Sequence, residues 1–167
     1  MGANHLEQRL CCDQFVPVLA SFVERRPVKL TPEEEEIRRL VFPDLPSRKV
    51  LQILSIGAWT TVEIGERMLE RGKSVEAISV IVRGKVRVTR DDGVSGELVA
   101  GHIVGSALLL SGVTADVDAV VVEPVRCMRW EVEPLVRYLA ANPEVRIVLQ
   151  KYLARDLAGK VLAATKL

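Results

Sequence analysis

The sequence predicts an α+β fold: an antiparallel jelly-roll barrel of about eight short strands, with short helices before it and two helices after it. Three observations predict it. From Gly57 the apolar pattern changes from helical spacing to alternation. Turn signals then recur roughly every eight to twelve residues, with Gly65, Gly72, Gly84, Gly93 and Gly101 as corners. Beyond Glu133 helical spacing returns and holds almost to the C-terminus.

The 167 residues suffice for one core. Residues 31–167 are read as one domain, and residues 1–30, poorly patterned, as an N-terminal arm or adapter. Phe15, Val18, Leu19 and Val23 share a helical face there, which Arg25-Arg26-Pro27 ends. Thr31-Pro32-Glu33-Glu34 is a helix start, with Thr31 as cap and Glu34 placed for a capping box. Glu34–Arg38 and Glu35–Arg39 are spaced to pair, and Ile37, Leu40 and Val41 form the buried stripe. The four-glutamate run is therefore a solvated face. Pro43 ends this helix, and a second runs from about Ser47 to Ile56.

The strands are read as Thr60 to Ile64, Arg67 to Glu70, and the alternating run Ile78, Val80, Val82. A turn at Arg83-Gly84 is followed by Val86 and Val88, and Asp92-Gly93 signals a hairpin. Leu98 to Ala100, Val117 to Val122, a turn at Glu123-Pro124 and Val125 to Trp130 complete the set. In the tail, Glu133 to Ala141 is one helix, and Asn142-Pro143 caps another that runs to about Ala163. Its length exceeds what one small barrel covers, so a homodimer through helix 143–163 is expected. The alternative is that the helix folds back over its own barrel.

Composition excludes several function classes. With 23 basic and 22 acidic residues, the chain has no basic excess with which to bind nucleic acid generally. No apolar run reaches the ~20 residues of a transmembrane helix. Three cysteines, Cys11, Cys12 and Cys127, do not make a disulfide framework, and a cytoplasmic protein is expected. Only two histidines are present, His5 and His102, so neither a metal site nor a nucleophile–histidine pair can be assembled. The chain is read as non-enzymatic.

The stretch Gly101-His102-Ile103-Val104-Gly105-Ser106-Ala107-Leu108 holds the candidate site. A glycine turn feeding a helical turn aims backbone N–H groups in one direction and can receive an anion. It equally serves as a tight corner between strands. The candidate ligand-binding residues are Val104, Gly105, Ser106, Ala107, Leu108, Thr114, Ala115 and Asp116, with N–H groups of Gly105 to Ala107 as donors.

These residues, with the hairpin from Gly65 through Gly72 to Ala77–Val88, resemble the cyclic-nucleotide-binding domain, from about Glu35 to Leu162. Gly57-Ala58-Trp59 and the segment Arg155-Asp156-Leu157-Ala158-Gly159-Lys160-Val161 are similar to bacterial relatives of the Popeye domain. The resemblance implies a phosphate-binding cassette with an acidic residue after its second glycine and an arginine about ten residues on. Here Ser106 stands at the first position, and Ala115 and Asp116 at the second. No Lys or Arg lies between Val104 and Val125.

A conventionally placed phosphate would have Asp116 or Asp118 near it. Like charges ~4 Å apart repel by roughly 4 kcal/mol at an effective dielectric of about 20, against ~0.3–1 kcal/mol from a helix N-terminus. Repulsion wins unless both aspartates point away, which their shared face, alternating with Val117 and Ala119, permits. A guanidinium from elsewhere, such as Arg83, reaching the pocket would also restore nucleotide binding. No cofactor is called for, and any cyclic nucleotide or other small ligand is expected to bind weakly. The expected function is a regulatory sensor with a degenerate cassette. The alternative is an interaction or dimerisation scaffold with a vestigial pocket filled by Leu108, Leu109 and neighbouring valines.

Overall fold

Thr31 opens the first helix, α1 (Pro32–Val41), through the reciprocal bonds of a capping box. The Glu34 N–H donates to Thr31 Oγ1 at 3.3 Å, and the Thr31 N–H donates to Glu34 Oε2 at 2.7 Å. Glu34 is thus committed to the cap, and Arg38 pairs instead with Glu35 at 2.5 Å. Ile37 and Val41 are buried, and the helix stops before Pro43. α2 (Ser47–Ser55) buries Val50, Ile53 and Leu54. The computed structural model describes residues 28–107 and 114–164, and the expected N-terminal arm lies outside them up to residue 27.

Among the described residues six strands follow: β1 (Ala58–Val62), β2 (Arg67–Leu69), β3 (Ala77–Thr89), β4 (Ser95–Leu98), β5 (Ile103–Val104) and β6 (Asp118–Glu131). They form one antiparallel sheet in the order β1-β6-β3-β4, with β2 on β6 and β5 on β3. This is a six-stranded, unclosed sheet, not the expected eight-stranded barrel.

Two of the expected turns do not turn. β3 runs straight through Arg83-Gly84, and β6 runs straight through Glu123-Pro124. The two positions face each other across the β3–β6 ladder, where the register shifts three times. Val80 pairs with Met128 and Val86 with Val121, so six residues of β3 answer seven of β6. An unequal count of this kind is a bulge, and it changes which residues of a strand face which side. Ile78, Val80 and Val82 pack on the helices, whereas Val86 packs on the opposite face with Ile81.

That inversion divides the core. One cluster joins α1 and α2 to the sheet through Ile37, Phe42, Ile53, Ile78, Val80 and Trp130. The other is built from Ile81, Val86, Leu98, Val104, Val121, Val125 and Cys127 on the opposite face of the strands.

α3 (Val132–Ala141) continues from β6, and α4 (Pro143–Ala164) follows after Asn142. Val145, Leu149 and Leu153 of α4 are buried in the same cluster as Ile78 and Val80. The apolar stripe of the first half of this helix is therefore covered by the chain's own sheet. Ile147 remains about half exposed on the other side. None of the described helices is long and apolar enough to cross a membrane.

Candidate functional site

The chain turns at Gly101 (φ +89°), where the Gly101 N–H donates to the Ile81 carbonyl at 2.8 Å. The two residues of β5 then pair with Ser79 and Val80, which fixes the height of the following turn against the sheet. Gly105 has φ +86°, and a Cβ there would lie 3.2 Å from the Ala77 carbonyl oxygen and from Val75. Glycine is required twice over, by conformation and by space. A helical turn begins at Ser106, whose side chain is buried.

Between this turn, β4 and the N-terminal approach to β6 lies a cavity of about 370 Å³. Val104, Gly105, Ser106, Ala107, Thr114, Ala115 and Asp116 all line it, so seven sequence candidates share one wall system. Leu108 lies outside the described residues. Leu69, Val75, Val88, Val94, Leu98 and Ile103 supply apolar wall, and Arg90, Glu97 and His102 supply polar groups. Its volume falls within the roughly 300–1,000 Å³ that small-molecule pockets span.

The cassette's charges are arranged differently from the sequence expectation. Asp118 is not on the cavity wall. Its Oδ1 accepts from the Arg71 N–H at 3.1 Å, and the Arg71 guanidinium lies 3.6 Å from its Oδ2. The same guanidinium pairs with Asp91. Asp116 does line the cavity and is exposed to solvent. Arg83 is on exposed strand surface near Glu33, whose carboxyl is lowered chiefly by its hydrogen bond to Arg126. Arg83 is not among the cavity residues described.

The fourth side of the cavity is α4, which contributes Leu157, Gly159 and Lys160. The Lys160 ammonium donates to the Ile103 carbonyl at 2.7 Å and to Ser106 Oγ at 3.1 Å, and lies 2.5 Å from Asp156 Oδ2. Two turns earlier on the helix, the Tyr152 O–H donates to the Gly101 carbonyl. α4 is thus tied to both ends of the glycine turn. Sequence reasoning missed Lys160. It lies in the segment Arg155 to Val161 and stands i, i+4 from Asp156, which marks a helix pair and does not say what the pair rests on.

Tyr152 makes this tie pH-sensitive. Burial, reinforced by the Asp156 carboxylate, pushes its phenol from an ordinary value near 10 up to about 12. The folded chain therefore keeps a proton that the unfolded chain loses, so the associated stability is complete below about pH 10 and declines as pH rises toward 12. Unfolding by urea is expected to show a steeper fall across this window in the wild type than in Tyr152→Phe. Parallel slopes would refute the assignment.

Comparison with known proteins agrees with this architecture. Residues 59–142, half of the chain, match the cyclic nucleotide-binding domain family. Among solved structures, a cyclic nucleotide-binding domain from Methylobacillus flagellatus KT superposes with a TM-score of 0.70 at 20% identity, over 78% of this chain and 79% of that one. The catabolite activator protein of Thermus thermophilus gives a TM-score of 0.62 at 25% identity, over 74% of this chain and 61% of that one. The sensor domain of the transcriptional regulator DNR from Pseudomonas aeruginosa gives 0.61 at 16%, over 74% and 92%. A search of curated protein sequences found no match.

Proposed function

The chain belongs to the cyclic nucleotide-binding domain family, and from that premise we propose that it is a non-enzymatic regulatory module that senses a small ligand in the cavity beside Ser106. The observation that carries this reading is the cavity itself, walled by the glycine turn on one side and by α4 on another. A ligand there touches the cassette and the closing helix together. Occupancy then favours whichever position of α4 makes the better contacts, which is how a binding event becomes a conformational signal.

The pocket residues of this proposal are Val104, Gly105, Ser106, Ala107, Thr114, Ala115 and Asp116. A cyclic nucleotide is the ligand class suggested by family membership and by the cavity's size, with weak binding expected from a cassette lacking its own arginine. The nearer kinship to bacterial Popeye-domain relatives, carried by the segment Arg155 to Val161, and a reducing, cytoplasmic setting stand as parts of the same proposal. A homodimer through α4 would have to use its outer residues, Ile147 among them. The scaffold alternative requires a side-chain-filled cassette. An open volume of about 370 Å³ between the described walls favours the sensor.

Thermal unfolding against cyclic mono- and dinucleotides tests the reading. A ligand at a hundred times its dissociation constant adds about 2.7 kcal/mol, or roughly 5–10 °C for a chain of this size. A well-folded sample that none of these compounds stabilises would favour the scaffold.

A further inference from the structure

The cassette carries no cation of its own, yet a cation stands in it. Lys160 reaches the glycine turn from α4, where its ammonium donates to Ile103 O and Ser106 Oγ and forms an ion pair with Asp156 Oδ2. We propose that Lys160 and Ser106 form an anion-receiving pole of the cavity, that the anion is the phosphate of a nucleotide-sized organic phosphate, and that Asp156 occupies the anion's place until it arrives. This rests on the sensor reading of the cavity and names the group that grips the ligand.

Three features point this way. Lys160 is the shielded charge of the cavity wall described: its side chain is 24% exposed, whereas Arg90, Glu97 and Asp116 face solvent and are screened by it. Asp156 is unusually placed for a surface helix, with its side chain only 3% exposed. Its Oδ2 makes no directed hydrogen bond and relies on the ion pair with Lys160. A buried carboxylate oxygen held by an ion pair without a hydrogen bond is incompletely compensated. Ser106, finally, accepts from Lys160 through a lone pair, and its own O–H is chemically suited to donate to a phosphate oxygen beside the ammonium.

The exchange has a mechanical consequence. A phosphate at Lys160 and the Asp156 carboxylate are like charges around one ammonium, and they repel most strongly where water is scarce. The repulsion is relieved when Asp156 leaves its buried position, which moves the end of α4. Ligand charge is thereby read out as helix displacement.

The test is calorimetric titration of the full chain with cyclic AMP, cyclic GMP, cyclic di-GMP, uncharged adenosine and guanosine, and inorganic pyrophosphate, alongside the NMR signal of the Lys160 side chain. Wild type is expected to bind a cyclic nucleotide about ten- to a hundredfold more tightly than its nucleoside, the worth of a charged hydrogen-bonded contact. Lys160→Met should lose that preference. Asp156→Asn should tighten nucleotide binding, because the competing carboxylate is gone. The double variant Lys160→Met/Asp156→Asn leaves no unpaired buried charge, so it separates lost binding from lost folding, and it should bind as Lys160→Met does. Nucleotide affinity retained in both Lys160 variants overturns the pole and leaves the sensor standing. A Lys160 signal that answers pyrophosphate while no nucleotide or nucleoside binds supports the pole and removes the nucleotide sensor. A Lys160 signal unmoved by every anion, in folded protein, overturns the pole outright.

Discussion

Gly84→Ala is expected to destabilise the chain by about 4 kcal/mol or more, at the far end of what single substitutions do. Gly84 has φ +92°, and a Cβ there would lie 2.1 Å from the Pro124 carbonyl oxygen and 2.8 Å from the Val125 Cα. Those are backbone atoms of the neighbouring strand, which no rotamer change can move. Positive φ alone costs an L-residue roughly 1–2 kcal/mol. The overlap adds the separation of β3 from β6 at the centre of the sheet, the most extensive pairing in the molecule. Against a total stability of about 5–15 kcal/mol this leaves little folded protein.

Because the obstacle is the first carbon, valine should be scarcely worse than alanine. Gly93→Ala is the control. Gly93 has φ +78° but nothing within 4 Å of a new Cβ, so only the conformational cost of about 1–2 kcal/mol should appear. Urea midpoints measure all three. A Gly84→Ala protein within 1 kcal/mol of Gly93→Ala would mean the strands do not approach closely there.

The same glycine shows where sequence reading reached its limit. A glycine between two alternating runs reads as a turn, and so does a proline after a glutamate. Each reading was locally sound. What the sequence did not display is that Gly84 and Pro124 lie opposite each other, so that the two breaks form one bulged crossing inside two long strands. Ile78, Val80, Val82, Val86 and Val88 have even spacing and look like one face. The bulge puts Val86 on the other. Signals confined to a few residues were legible: the Thr31–Glu34 box formed as spaced, and at Asp92-Gly93 the Arg90 N–H donates to the Val94 carbonyl as a hairpin requires.

The site divides along the same line. Val104 to Ala107 are contiguous, and the glycines that shape their turn are visible in the chain, so their convergence could be anticipated. Thr114, Ala115 and Asp116 follow closely enough to return to the same cavity. Lys160 is 54 residues from Ser106, and the packing of Val145, Leu149 and Leu153, with the Tyr152 bond to Gly101, brings it there. Charge counted along a segment therefore misses charge delivered by a neighbouring helix. The repulsion argument also treated Asp118 as unpaired, whereas Arg71, far from it in sequence, holds it away from the cavity.

That delivery depends on how firmly the helices are joined to the sheet, and Trp130 is the joint with the largest expected effect. It is 2% exposed on β6, one residue before the strand ends, and its Nε1–H donates to the Ile53 carbonyl at 2.8 Å. One side chain thus connects α2, the sheet and the start of α3. Gly57 leaves it room, since a Cβ there would come within 2.8 Å of the indole ring and of Met128 Sδ. Trp130→Ala removes the ring and should cost about 3–5 kcal/mol. Trp130→Phe keeps most of the apolar volume but strips the buried Ile53 carbonyl of its donor, for about 1–3 kcal/mol. The two variants differ in what they do to α4. Phenylalanine should weaken the fold while leaving the Lys160 side-chain NMR signal nearly unchanged, because the helix layer still has a surface to rest on. Alanine should shift that signal as well, since the cavity it opens lies beneath the same layer that positions α4. Equal stability of the two variants would mean that the indole hydrogen bond, rather than the ring's bulk, joins the layers, and Lys160 would then owe its position to a polar contact instead of to packing.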